Sequence, residues 1–196
     1  MPLTRQLVLA STSRYRRELL ERLGVPFECA DPHANESPLT GEAAAATALR
    51  LAEAKARAVA LRYPQALIVG ADQVASCDGV RLDKPGNHEI AVRQLAAMSG
   101  RTARFDTGVV VLDAKSGTLG ARVVGCRVTL RPLSALQIER YLRLEQPYDC
   151  AGSAKAEGLG ITLIERIETE DPTSLIGLPL IALTELLADA GAPVLG

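Results

Sequence analysis

Leu7-Val8-Leu9-Ala10-Ser11-Thr12-Ser13-Arg14-Tyr15-Arg16-Arg17 sets the fold class of this chain. Four apolar residues run directly into three hydroxyl side chains, and Leu19, Leu20 and Leu23 then recur at helical spacing as far as Gly24. The pattern is a strand, a hydroxyl-rich turn and a helix. Three arginines crowd the first turn of that helix. The helix dipole already places roughly half a positive charge there, so each cation is disfavoured by about 0.3 kcal/mol or more. A bound anion offsets them. Backbone N–H groups, hydroxyls and guanidinium forks after a strand are the recurring arrangement for phosphate. The competing account is that the arginines are only solvated.

Further along, Val25-Pro26-Phe27-Glu28-Cys29 reads as extended chain, and Pro32, Asn35, Ser37 and Pro38 mark residues 30–40 as a loop. An Ala/Leu-rich helix is predicted from about Thr40 to Arg62, followed by a buried strand Leu67-Ile68-Val69-Gly70 ending in Ala71-Asp72-Gln73. Asp83-Lys84-Pro85-Gly86 is a turn before a helix from about His88 to Met98, closed by Ser99-Gly100. Two strands, Thr102 to Asp113 and Ala121 to Leu130, are expected to pair antiparallel across Lys115-Ser116-Gly117. Ser134 is an N-cap for a helix over 135–144, and residues 151–158 form a small-residue loop. Ile161 to Ile167 reads as a strand. A C-terminal apolar helix opens at Thr173 or Ser174 and ends at Gly191, with Pro179 tolerated near its start or splitting it. No repeat or linker interrupts residues 1–196, which read as a single mixed α/β domain.

The 196 residues are 47% hydrophobic and 23% charged, so the chain buries a real core and is not disordered. Lys and Arg number 22 against 23 Asp and Glu, a net charge of −1, which gives no general attraction to nucleic acid or anionic lipid. Aromatic residues at 3%, with no Trp, leave too few platforms for a single-strand groove. No apolar run approaches the ~18 residues of a membrane span, and residues 1–5 lead into a short strand rather than a signal-peptide core. The expectation is a soluble cytoplasmic protein with no membrane or nucleic-acid partner. Cys29, Cys77, Cys126 and Cys150 are far apart with no C-x-x-C pair, as reduced buried thiols are rather than zinc ligands.

Asp72 follows a buried strand, at the end where open α/β sheets place their ligands. A carboxylate there holds a divalent metal or takes a proton from a water attacking phosphorus; an N-cap or turn aspartate is the plain alternative. Glu36, in the Pro-rich loop, is a second candidate for the metal or the water. Lys55 shares a helical stripe with Leu51 and Ala58 and so borders the buried face, either snorkelling or reaching toward Asp72 or a phosphate. Lys84, in a rigid turn, suits a phosphate-neutralising point charge. The loop Gly152 to Gly160 matches neither G-x-x-x-x-G-K-[ST] nor G-x-G-x-x-G.

Leu9-Ala10-Ser11-Thr12-Ser13 with Arg16-Arg17, then Gly70-Ala71-Asp72-Gln73-Val74, Lys84-Pro85, Thr107-Gly108 and Ala151-Gly152-Ser153 resemble, in order and over nearly the whole chain, the Maf family of nucleoside triphosphate pyrophosphatases. The resemblance is closest to the branch acting on 7-methyl-GTP. Tyr15 stands where that branch usually has Trp and the dTTP/UTP-cleaving branch has Arg. Gln73 and Glu157 stand where the latter has Thr and Gln. The resemblance implies a two-lobed α/β fold, inosine-triphosphate-pyrophosphatase-like, with a mixed sheet, flanking helices and an active site in the cleft between lobes. It implies cleavage between the α and β phosphates with a divalent cation, Mg²⁺, Mn²⁺ or Co²⁺, and leaves open whether the chain acts alone or as a homodimer. Asp72 would be the proton acceptor; Ser11, Ser13, Arg16, Lys55 and Lys84 would contact phosphates. Glu36 would join Asp72 at the metal, and Tyr15, Gln73 and Glu157 would select the base. Arg14 replaces a usual proline, Asn35 an acidic residue before the glutamate, and Asp106 a common aromatic. The alternatives are the same chemistry on dTTP, UTP or other unmodified nucleotides, and a nucleotide-binding regulator of cell division.

Overall fold

In the computed structural model, which describes residues 5–37 and 39–196, the elements follow in the order β1 (Leu7–Leu9), α1 (Arg14–Glu21), β2 (Glu28–Cys29), α2 (Ala44–Ala60), β3 (Leu67–Cys77) and β4 (Val80–Leu82). They continue as α3 (His88–Met98), β5 (Thr102–Asp113), β6 (Leu119–Leu130), α4 (Ala135–Glu145), β7 (Ile164–Thr169) and α5 (Leu180–Asp189), with 3-10 turns at Ala151–Ser153, Leu159–Leu163 and Pro172–Ile176. Residues 1–4, the lead-in to β1, and Pro38, in the predicted 30–40 loop, lie outside the described residues. The strands form a mixed seven-stranded sheet in the order β2-β1-β3-β5-β6-β7, with β4 paired to β3 off this path. Contacts divide the chain into two units, residues 1–73 with 107–124 and 171–196, and residues 74–106 with 125–170.

In the first unit β1 pairs in parallel with β2 and β3, with Leu7, Val8 and Leu9 opposite Leu67, Ile68 and Val69. β1 and the first part of β3 read as unbroken apolar runs because both their faces are covered. Leu7, Leu9, Leu67, Val69, Val109 and Val111 pack with Leu19 and Leu20 of α1 and Leu183 and Leu187 of α5. On the other face Val8, Ile68, Val110 and Leu112 pack with Ala52, Ala56 and Val59 of α2. Two glycines bring α2 down onto the strands. A Cβ at Gly70 would lie 2.1 Å from the Ala52 carbonyl oxygen, and one at Gly108 would lie 2.6 Å from that of Ala48.

In the second unit the hairpin β3–β4 turns at Asp78-Gly79, both at positive φ, the backbone a tight hairpin requires. β6 pairs antiparallel with β7, with an irregularity between Thr129 and Leu130. Ser134 and Gln137 form a capping box at the start of α4, and the Asn87 side chain caps α3.

The structure corrects several expected boundaries. β3 does not end before Asp72 but runs on to Cys77, because Ala75 and Cys77 pair with Leu82 and Val80 of a strand the sequence reading missed. The strand expected from Ile161 starts at Ile164, after a 3-10 turn. Of the two alternatives at Pro179, the split is the one present, at 177–179. Gly177 sits at φ 112 and Pro179 lacks an N–H, while the Asp171 carboxylate caps both pieces, accepting from the backbone of Thr173 and of Ile181.

Candidate active site

The site of the first unit is built on the register of β3. Alternation places Ile68, Gly70 and Asp72 on the α2 face and Val69, Ala71 and Gln73 on the opposite one. On α2 the buried stripe is Ala48, Leu51, Ala52, Lys55, Ala56 and Val59, so Lys55 faces the sheet, alongside Val59 rather than the half-buried Ala58. Its ammonium lies 2.6 Å from Asp72 Oδ1 and 3.0 Å from Glu36 Oε1. Lys55 and Asp72 are both buried, and Glu36 is exposed. Of the two readings of the helical stripe, the lysine reaching toward Asp72 is the one present. The expected position of Asp72 is not, since it lies within a strand rather than beyond its end.

Glu36 is presented by its loop. Asn35 Oδ1 accepts from the Ser37 backbone at 2.9 Å, and Arg50 Nη2 donates to the Ser37 carbonyl at 3.3 Å. Arg50 is itself held by Glu42 at 2.6 Å. The Arg50 hydrogen bonds hold the Glu42 carboxyl down at about 2.

At the turn after β1, the buried Ser11 hydroxyl accepts from the Ser13 backbone at 3.1 Å, and Ser13 N-caps α1. The three arginines do not share one task. Arg17 is exposed and pairs with Glu21 at 3.0 Å. Arg14 lies over the Tyr15 ring, its guanidinium carbon 4.6 Å from the ring centre. Arg16 is half-buried and its Nε donates to the Gly177 carbonyl at 2.8 Å. Burial pulls the Arg16 guanidinium below its usual value, and the charges of Asp72 and Glu36 push it back up. Arg16 thus shares the field of the two carboxylates.

Gln73, on the far side of β3 from Lys55, spends its amide nitrogen on Thr107 Oγ1 at 3.0 Å and on the carbonyls of Ser174 at 2.9 Å and Leu175 at 3.1 Å. Three acceptors around that nitrogen fix the amide's orientation. Thr107, Asp171 and Gly177 were given no role in the sequence reading. Thr107-Gly108 is its only trace of them; the partners of Thr107 and Gly177 are distant in the chain, while Asp171 acts on Thr173 and Ile181 nearby.

Lys84 and Glu157 belong to the second unit. Lys84 is exposed on the loop after β4, which is anchored where Gly86 N donates to the Tyr148 carbonyl at 3.0 Å and Gln94 Nε2 to the Asp83 carbonyl at 2.8 Å. Glu157 is exposed at the crest of a turn pinned by Glu145, which takes Lys155 Nζ at 2.8 Å and the Leu159 backbone at 2.6 Å. The Lys155 hydrogen bond holds the Glu145 carboxyl below its usual value.

Among the described residues no group of three or more His, Cys, Asp or Glu is placed to hold a metal. Glu36 and Asp72 nonetheless converge on one ammonium. Two carboxylates are oxygen donors of the kind a hard divalent cation takes, and two alone leave most of its shell to other oxygens. No helix of the described residues is long and apolar enough to cross a membrane.

An α/β protein with a buried lysine ammonium held by two carboxylates is the class this arrangement defines. Residues 6–190 match the family model described as Maf-like protein, and the chain belongs to that family. It is 55% identical over 192 residues to the 7-methyl-GTP pyrophosphatase of Cupriavidus pinatubonensis, covering 98% of this chain and 96% of that one. It is 56% identical over 189 residues to the 7-methyl-GTP pyrophosphatase of Thiobacillus denitrificans, covering 96% and 94%. A solved HAM1 protein from Coxiella burnetii overlaps 65% of this chain and 73% of its own at a TM-score of 0.42 and 13% identity.

Proposed function

We propose that this chain hydrolyses 7-methyl-GTP to 7-methyl-GMP and pyrophosphate, clearing a modified nucleotide from the cytoplasmic pool. The observation that carries the reading is the buried Lys55 ammonium held by Asp72 and Glu36 in the field of Arg16, in a chain with relatives of that activity at 55% and 56% identity. A water oxygen bonds to the α-phosphorus, the bond from that phosphorus to the bridging oxygen breaks, and pyrophosphate leaves with the electron pair. Asp72 takes the water's proton. Arg16, Lys55 and Lys84, with the Ser11 and Ser13 hydroxyls, receive the phosphate charge, which is where preorganised donors contribute most to rate. Glu36 and Asp72 would hold a divalent cation, Mg²⁺, Mn²⁺ or Co²⁺, whose charge supplements theirs at the triphosphate.

Tyr15, Gln73 and Glu157 select the base. The Tyr15 ring already carries a guanidinium on its face, and a methylated guanine presents the same kind of delocalised cation, worth about 0.5–2 kcal/mol there. With the Gln73 amide nitrogen committed, its oxygen is the atom left to accept from a base. The Glu157 carboxylate accepts from the guanine N1–H and amine.

The test is a turnover screen of 7-methyl-GTP, GTP, dTTP and UTP with each of the three cations. The expected outcome is 7-methyl-GTP as best substrate and pyrophosphate as first product. A nucleoside diphosphate intermediate refutes the chemistry. Preference for dTTP or UTP refutes the base assignment, and binding without turnover favours a regulator.

A further inference from the structure

We propose that Thr107 and Gln73 are positioning residues that orient Arg16, acting through the 3-10 turn Pro172–Ile176. Thr107 is fully buried, and its hydroxyl donates to the Ser174 carbonyl at 2.9 Å while accepting from Gln73 Nε2 at 3.0 Å. Gln73 Nε2 reaches the Ser174 and Leu175 carbonyls as well. Two side chains, from β3 and β5, therefore grip the middle of one short turn. Asp171 holds its start, with Oδ1 accepting from Thr173 N at 3.0 Å, and ties it to the first turn of α5, with Oδ2 accepting from Ile181 N at 2.7 Å.

The residue that leaves this clamped turn is Gly177. Its φ of 112 is open to glycine, and a Cβ there would lie 3.5 Å from Arg16 Nε. Its carbonyl accepts from that same Nε at 2.8 Å. A guanidinium is planar, so holding Nε–H on a fixed backbone oxygen sets the plane and directs the remaining Nη donors. The polar atoms that fix the plane are thus supplied by buried or half-buried groups behind the site, the Thr107 hydroxyl, the Asp171 carboxylate, the Gly177 carbonyl and the amide nitrogen of Gln73, whose oxygen stays with the base. A turn held only by its own backbone bonds would let the Gly177 oxygen, and Arg16 with it, wander.

The inference rests on Arg16 being a phosphate ligand, and the experiment separates the two. Inorganic pyrophosphate is the probe, because it has no base for Gln73 to read. Thr107→Val and Gln73→Met should each weaken pyrophosphate inhibition about tenfold, and Thr107→Ser should restore it to within about twofold. In an Arg16→Ala background the same changes should alter inhibition by less than about twofold, since coupled residues lose their effect together. Independently, the Arg16 Nε–H signal in the ¹H–¹⁵N spectrum, identified by its loss in Arg16→Lys, should exchange with solvent faster in Thr107→Val. If Thr107→Val does not fold, Gln73→Met carries both measurements. Unchanged inhibition by the single variants, or the full loss persisting without Arg16, overturns the proposal. If Arg16→Ala itself leaves inhibition unchanged, the phosphate role of Arg16 fails, and the exchange rate alone decides whether the clamp exists.

Discussion

Replacing Lys55 by Met removes the cation on α2 that donates to the buried Asp72 carboxylate, while keeping most of the length and the apolar stem of the side chain. Breaking a buried pair from one side typically costs about 3–5 kcal/mol. The lower end applies, because Glu36 is 57% exposed and loses little when its partner goes. We expect Lys55→Met to lose about 3 kcal/mol, which for a chain of this size lowers the melting temperature by roughly 6–12 °C. Adding Asp72→Leu should recover more than half of that loss, since an apolar pair of similar volume leaves no buried charge. Arg57→Met on the same helix is the control. Its pair with Glu53 is 54% and 37% exposed, so its loss should stay below about 0.5 kcal/mol. Urea unfolding at pH 7, followed by far-ultraviolet circular dichroism, measures all four proteins. Equal losses for Lys55→Met and Arg57→Met, or a double variant weaker than Lys55→Met, would refute the assignment of Lys55 as the counter-charge of a buried carboxylate.

Asp72→Asn should cut turnover by about 10²–10⁴ while nucleotide affinity by calorimetry stays within tenfold; a near-normal rate would show that the proton goes elsewhere. Tyr15→Arg, Gln73→Thr and Glu157→Gln together should move the ratio of kcat/KM from 7-methyl-GTP toward dTTP and UTP, and an unchanged ratio removes the basis for the base assignment. Glu42 stabilises the fold when ionised, because its carboxyl is depressed from 4.5 to about 2 by Arg50; its contribution is complete above pH 4.5 and is lost as pH falls toward 2. The urea midpoint of Glu42→Gln should therefore lie below wild type at pH 7 and converge with it near pH 2. Gly70→Ala must displace the Ala52 carbonyl, and a loss of about 3 kcal/mol in the same unfolding assay is expected.

Elements with chemical punctuation were readable from sequence. α3 begins after Asn87 and ends at Met98 as expected, and α4 begins after Ser134, because their caps are local. β3 was cut short because Asp72 and Gln73 interrupt an apolar run. The polarity is real, but it belongs to a strand whose two faces carry different polar partners, Lys55 on one and the Ser174 carbonyl on the other. Spacing put Lys55 on a buried stripe but left snorkelling and reaching toward Asp72 or a phosphate equal, and only the fold decides for Asp72. The separate fates of Arg14, Arg16 and Arg17 could not. They depend on Glu21, four residues away, and on Gly177, brought near by the chain's end. Thr107 and Asp171 act through contacts 67 and 10 residues distant, which no periodicity announces.

Where α2 meets Gly70 and Gly108, main chain rests on main chain with no side-chain layer between. Spacers of leucine or valine compress and change rotamer as neighbouring residues are exchanged over evolution; a peptide resting on a peptide does not. The spacing of the two backbones that carry Lys55 and Asp72 is therefore set by peptide-on-peptide contact, and the outward positions of α2, such as Glu53 and Arg57, lie away from it. A lineage can re-dress the outward face of that helix for a new solvent, salt concentration or neighbour while the two backbones under the charges keep their spacing.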